Sequence, residues 1–170
     1  EADGKRSGGH ILPDETIVAE PSTVQAFGIS GACFESHPDP ETNFTLFGPM
    51  AAESTPAGKT LRKAYAIRLR PNQDFCQAIE GFCKLENIER ARIYGGVGST
   101  IGARFTNGAT IDNFATEVFI RDGHIANNDG IHVTTIDVGL VDYTGALAQG
   151  VLRRGENPVL MTFELVLVPE

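Results

Sequence analysis

Ala64-Tyr65-Ala66-Ile67-Arg68-Leu69-Arg70-Pro71-Asn72-Gln73-Asp74-Phe75 is the stretch on which the fold turns. Its first six residues alternate as a half-buried strand does, and Pro71-Asn72 marks a turn that stops them. A helix follows. Phe75, Ile79, Phe82 and Cys83 recur at helical spacing and build one apolar face, with Asn72 predicted as N-cap and Asn87 as the stop. No other part of the chain carries that periodicity.

Downstream the pattern changes from a period of 3.6 to a period of 2. Strands are predicted over 91–94, 101–105, 115–120, 131–138, 146–152 and 159–168. Asn107-Gly108, Asp122-Gly123 and Asp129-Gly130 are read as tight turns between strands, because these pairs tolerate positive φ. One helix followed by hairpin-linked strands implies an α+β fold: a mainly antiparallel sheet with one principal helix covering one face. It excludes a doubly wound nucleotide-binding fold.

Upstream, Pro13, Pro21, Pro38, Pro40, Pro49 and Pro56 leave room for strands over 16–19 and 23–34 but for no helix. The stretch 51–59 is rich in Ala, Ser, Thr, Pro and Gly and reads as a linker. The expected organisation is therefore a leading segment, 1–52, and a domain over 60–170.

Composition narrows the function classes. The chain has 170 residues, 41% hydrophobic, with 22 acidic against 14 basic residues and a net charge of −8. That is enough apolar material for a core, and a poor balance for nucleic acid, whose affinity comes mainly from Lys and Arg neutralising phosphates. Apolar runs fall short of the ~20 residues of a membrane span, and no basic-then-apolar signal opens the chain, so a cytoplasmic protein is expected. Cys76 and Cys83 lie seven apart on the predicted helix, about 10 Å along its axis and too far for a disulfide. With Cys33, the three cysteines read as reduced structural thiols.

Four motifs, in order, resemble a known family. They are Arg70-Pro71-Asn72-Gln73-Asp74 ahead of the helix, Asn87-Ile88-Glu89-Arg90-Ala91, Gly96-Val97-Gly98-Ser99, and Glu117-Val118-Phe119 before Asp122-Gly123. From about Tyr65 to Pro169 the chain resembles the plant-and-prokaryote-conserved (PPC) domain. The resemblance implies a helix-backed antiparallel sheet and a homotrimer. In many bacterial and archaeal members, a His-x-His pair and a later Gly-Gly-His gather three imidazoles suited to a metal such as zinc. Here Gly130 and His132 stand at the pair, and Gly145-Ala146 stands where Gly-His is expected. Since a transition-metal site usually takes at least three protein ligands, His132 alone reads as a packed or solvated strand residue.

The missing motif occurs elsewhere. Gly8-Gly9-His10-Ile11 matches it, and Thr23-Val24 lies as far beyond His10 as Val159 lies beyond Ala146. Residues 1 to about 50 thus resemble the tail of a preceding PPC copy, as in tandem bacterial members, with residues 39–47 connecting it to the second copy. Residues 16–35 are expected to add strands to a sheet edge of the assembled protein, because a bare edge invites aggregation. His10 and His132 are the candidate metal ligands, each needing partners from another copy or subunit.

Other constellations carry less. Gly95-Gly96-Val97-Gly98-Ser99-Thr100 lacks the Gly-Lys-Ser/Thr ending of a phosphate loop, and Gly96 and Gly98 read as a strand bend or close subunit contact. Glu117, which follows Phe114 as an acidic residue follows an aromatic in the family, joins Asp137, His124 and His132 as an acid–base candidate. It also reads as a structural or interaction carboxylate. Arg153-Arg154 and Arg90 with Arg92 are short basic pairs of the kind found on solvated surfaces. Plant members carry a separate Arg-Gly-Arg-Pro hook for the minor groove, and this sequence holds none. The leading expectation is a non-enzymatic, self-associating module without a cofactor. A metal-dependent enzyme or small-molecule binder is the second reading, and a DNA-associated regulator the third.

Overall fold

In the computed structural model, which describes residues 4–12, 14–54 and 61–170, strands β1 (Ala32–Pro38) and β2 (Thr45–Ala51) form a separate hairpin. Then come β3 (Tyr65–Leu69), α1 (Phe75–Leu85), β4 (Arg90–Thr100), β5 (Ala103–Arg104), β6 (Thr110–Ile111), β7 (Thr116–Asn128), β8 (Ile131–Asp142), β9 (Leu147–Val151) and β10 (Val159–Pro169). The main sheet has the order β3-β10-β4-β7-β8-β9 and is antiparallel throughout. Helix α1 packs across one face on β8. Phe75, Ile79 and Cys83 are fully buried there, as the helical spacing requires, and Phe82 meets Tyr65 edge-on at 5.0 Å. Burial pushes the Cys76 thiol up to about 12 and the Cys83 thiol up to about 11, so neither ionises near neutral pH.

The predicted N-cap is corrected. Asp74, not Asn72, caps α1: one carboxylate oxygen accepts from the Gln77 N–H at 3.0 Å and the other from the Asn157 N–H at 2.9 Å. Asn72 sits two residues earlier at φ 64° and donates its N–H to the Val159 carbonyl at 2.8 Å, closing the turn between β3 and the helix. Asn87, at φ 54°, lies just past the helix end, as expected.

Asp129-Gly130 turns the β7–β8 hairpin with both residues at positive φ, and Asn107-Gly108 turns between β5 and β6. Asp122-Gly123 does not turn. It lies inside β7, where Ile120 pairs with Val138 and Asp122 with Asp137, leaving Arg121 as the extra residue of a β-bulge. The bulge keeps both Ile120 and Ile125 on the helix face. Asp122 meanwhile reaches Arg92 of β4 at 3.1 Å, so the polar pair is satisfied within the sheet. The glycine-rich run 95–100 is the second half of β4, flanked by β10 and β7.

The leading segment also differs from expectation. Residues 16–31 form no strand, and of the predicted 23–34 only 32–34 are extended in a sheet. Ile17 and Val18 are adjacent, and Val24 and Phe27 are three apart, so a strand would point each pair to opposite faces with no apolar side to bury. Residues 39–47 make the tip and the first part of the second strand of the β1–β2 hairpin. There the Asp39 carboxylate accepts from the Thr42 N–H at 3.0 Å and hydroxyl at 2.8 Å, and pairs with Arg68 of β3 at 3.1 Å. Of the predicted linker, residues 55–60 lie outside the described residues. Among the described residues, no helix is long and apolar enough to cross a membrane.

Candidate functional site

With α1 on one face, the other face of the sheet is read off the register. Glu164, Val97, Phe119, Gly139 and Gln149 lie side by side across β10, β4, β7, β8 and β9, with Arg68 of β3 at the end of the row. The next row holds Ser99, Glu117, Val141 and Leu147. Strand alternation turns the residues between them, Phe163, Gly98, Val118 and Leu140, toward the helix and into the core.

Gly98 and Gly96 are glycines because of this packing. A Cβ on Gly98 would collide with the Thr162 carbonyl oxygen and lie 2.6 Å from Phe163 Cα, and one on Gly96 would lie 2.8 Å from the Glu164 carbonyl oxygen. Where a strand bend or a close subunit contact was expected, the close approach at these positions is within the chain, between β4 and β10. On the open face, the Phe119 ring packs against Gly139, where a Cβ would stand 2.6 Å from two ring carbons.

Residues before β1 run over this open face. Gly8 sits against Val141 and Leu147, and Phe27 meets Tyr94 of β4 edge-on at 4.7 Å. Between residues 6–11, β2 and the sheet lies a concavity of about 1160 Å³, mostly apolar in its lining, with His10, Glu117 and Glu164 among its walls. Loss of water around Glu117 raises its carboxyl above the usual range, and nearby His10 draws it back. Burial likewise raises Glu164, opposed by the Thr162 hydroxyl and the Arg68 guanidinium.

The structure therefore brings His10 and Glu117 together but not His10 and His132. His132 lies near the far end of the β7–β8 ladder, opposite Asn127, roughly 30 Å of strand from Glu117. It is on the helix face, and its Nε2 is 2.8 Å from the Ile88 carbonyl, to which it donates. Among the described residues no group of three His, Cys, Asp or Glu side chains is placed to hold a metal ion, so the residues of one chain do not fit the three-imidazole site. Asp137 and His124 are also away from the concavity, beside Arg121 at 3.4 Å and Asp122 at 4.0 Å.

The position expected for Gly-His, Gly145-Ala146, is instead a turn organised by Asp142. Its carboxylate accepts from the Thr144 hydroxyl at 2.6 Å and N–H at 2.8 Å, from the Ala146 N–H at 3.0 Å, and from the Asn113 side chain. These bonds, led by the Thr144 hydroxyl, lower its pKa to about 2. A depressed carboxylate stabilises the fold above its unfolded pKa, and that contribution is lost as pH falls through the folded value. Asp142→Asn is expected to lower the melting temperature by several degrees at about pH 6. Its deficit should shrink as the pH is taken from about 4 toward 2, which thermal melts across that range would show.

Sequence reading missed Glu164, although it is the one charged residue in the apolar run 159–168, and a lone charge there is a signal. It also passed over Phe119 as a side chain, because nothing in the sequence says which face of β7 the helix leaves open.

The stretch from β3 to β10 has a counterpart among family models. That of the Plants and Prokaryotes Conserved (PCC) domain matches residues 57–169, more than half of the chain. The chain belongs to this family. Three solved structures share the PCC fold. The plant- and prokaryote-conserved protein of Pyrococcus horikoshii is 22% identical with a TM-score of 0.53, the match covering 68% of this chain and 84% of that one. A metal-containing protein of Archaeoglobus fulgidus is 18% identical, with a TM-score of 0.53 and coverage of 68% and 85%. A protein of Bacteroides thetaiotaomicron proposed to bind DNA is 16% identical, with a TM-score of 0.52 and coverage of 66% and 81%. At these identities the likeness is one of fold. No curated protein matches. The PCC match includes five of the six strands that line the concavity but leaves out β2 and His10, which belong to the leading segment.

Proposed function

We propose that this PCC domain is a cytoplasmic, non-enzymatic module whose role is to self-associate, as a trimer, through the open face of its sheet. The observation that carries the reading is the exposed apolar side chains there: Val97 is 60% exposed, Phe119 52% and Leu147 45%, with Phe47 of the β1–β2 hairpin, 55% exposed, lining the same concavity. Apolar side chains gathered on one face gain about 25 cal/mol for each Å² removed from water, and a second copy of the same face is a partner always present. The trimeric number comes from the family resemblance. Residues 1–52 are proposed as the tail of a preceding copy, and the seating of Gly8 on Val141 and Leu147 supports this, since it places one copy's tail against the next copy's sheet.

Phe119→Glu is the test. Light scattering on the wild type is expected to give a closed oligomer, and on the variant a monomer whose circular dichroism is unchanged. A monomeric wild type, or a variant that stays assembled, sinks the proposal. Metal analysis of the same fractions decides the second reading, since a metal-dependent enzyme would have to gather imidazoles from several copies. The DNA reading has less support on this chain. Arg92 faces Asp122, Arg153 faces Glu156, Arg154 faces Glu80 and Arg90 lies 3.9 Å from Glu170, so each basic pair already has carboxylates beside it.

A further inference from the structure

The proposed function gives the open face of the sheet to a second copy, yet residues 6–11 of the same chain already lie over part of it. Their effect is visible in one row of the sheet. Leu147 of β9 is exposed, whereas Val141, its partner on β8, is only 8% exposed, although it points away from α1 and is not one of the residues that form the core. What lies on it is Gly8. A Cβ on Gly8 would stand 3.3 Å from Val141 Cβ and 3.1 Å from Leu147 Cδ2, so the backbone rests directly on these two side chains. Gly8 is not at positive φ, so a larger residue there would disturb the contact and not the backbone. The seat is shallow. Ile11, Ile17, Val18 and Val24, the larger apolar side chains of the leading segment, remain exposed, so lifting residues 6–11 gives up little buried apolar surface beyond that of Val141.

We infer that residues 6–11 are a strap that competes with self-association: seated on Val141 and Leu147 of their own chain, they keep a second copy off that end of the open face, and copies associate as the strap lifts. The inference rests on the self-association reading and adds to it a device that sets when the face is available. The strap and a second copy claim the same surface, so each weakens the other in proportion to the fraction of chains it occupies. Because the strap is tethered, its local concentration is fixed, while that of a second copy rises with the protein. Dilute chains are therefore strapped and concentrated chains assembled. The second copy has the larger gain once it is abundant, since it covers Val97, Phe119 and Leu147, which the strap leaves exposed.

A disulfide tests this. Gly8→Cys with Val141→Cys, in a Cys33→Ser background, sets two Cβ atoms 3.3 Å apart, close to the span of such a bond, while Cys76 and Cys83 are buried away from it. Oxidation of the dilute full chain is expected to close the bond within one chain. Light scattering over a concentration series should then show assembly needing at least about tenfold more protein than in the reduced sample. Gly8→Asp, which sets a carboxylate against two apolar side chains in the row of Glu117, is expected to lift the strap and to assemble at about threefold lower concentration than the wild type. Circular dichroism establishes that each variant is folded. Equal assembly of the oxidised and reduced protein, or a Gly8→Asp variant that assembles no more readily than the wild type, overturns the strap. So does a bond formed between chains, because a seat on another copy would join copies and not hold them apart. A wild type and a reduced variant that both stay monomeric at every concentration mean instead that self-association itself fails, and the strap with it.

Discussion

Gly98→Val is expected to abolish the folded protein. Gly98 is in the middle of β4, with β10 on one side and β7 on the other, and its helix-ward direction is filled by Phe163. Even a methyl group there would lie 2.6 Å from Phe163 Cα and 2.8 Å from its ring, and would overlap the Thr162 carbonyl. Two of those three obstacles are backbone, so no rotamer change relieves them. The strands would have to part, losing ladder bonds on both sides. Phe163 cannot retreat either, since it is fully buried edge-on against Phe75 at 4.4 Å. Overpacking of a tight core costs about 1–3 kcal/mol per site, and alanine at 98 belongs at the upper end. A branched valine exceeds that, against a total stability of roughly 5–15 kcal/mol for such a domain. Soluble yield and urea unfolding measure it. A variant that melts within a few degrees of the wild type would show that the two strands are not held as closely as described.

The same residue shows how far the sequence is legible. Gly96-Val97-Gly98 announces that something approaches closely, but not what, because the partner is on β10, some sixty-five positions away. Local signals did better. The period of 3.6 from Phe75 to Cys83 located the helix and its buried face, since it depends only on spacing. Asp129-Gly130 and Asn107-Gly108 turned where expected, whereas Asp122-Gly123 has the same composition and does not. What separates them is tertiary. At 122 the neighbouring strands β4 and β8 continue past the pair on both sides, and Arg92 waits for the aspartate, so the pair's turn propensity is spent on a bulge. The cap moved from Asn72 to Asp74 for a related reason: Asp74 has two acceptor oxygens and two donors to satisfy, one of them from the distant Asn157.

The candidate site was legible as a set of residues and illegible as a place. His10 and Glu117 were both singled out, from different motifs, and the structure puts them on one concavity. His132 was singled out by alignment with a metal-binding pair, and the structure spends it on the Ile88 carbonyl. A motif fixes residue type and order along the chain. Which face of a strand it occupies depends on every bulge before it, and in β7 the extra residue at Arg121 reverses the alternation between Glu117 and the hairpin end. Face assignment is therefore lost to any reading that counts residues by twos.

Asn157→Leu is expected to cost about 3–5 kcal/mol, nearly as damaging as a core truncation, although leucine has a similar size. Nothing in the Glu156-Asn157-Pro158 loop marks the residue as more than a turn former. Yet Asn157 is completely buried and fastens three elements. Its side-chain oxygen accepts from the Arg104 N–H at 2.8 Å, and its amide donates to the carbonyls of Arg104 at 3.1 Å and Arg153 at 2.6 Å. Its own backbone accepts from the Phe75 N–H at 3.0 Å and donates to the capping Asp74. Leucine would leave the Arg104 N–H and the Arg153 carbonyl facing a hydrocarbon, each with a desolvation penalty of about 1–3 kcal/mol, and would take one of two donors from the Arg104 carbonyl, which keeps the Arg153 N–H at 2.8 Å. Asn157→Asp should not rescue it, because a carboxylate can accept from Arg104 but cannot donate to the two carbonyls. Urea unfolding gives the cost, and amide exchange gives its location, with faster exchange at Phe75 and Arg104 than at the β7–β8 ladder. Uniform acceleration across the sheet would mean that the asparagine supports global stability without holding the first turn of α1 and the strand at Arg104 to the loop before β10.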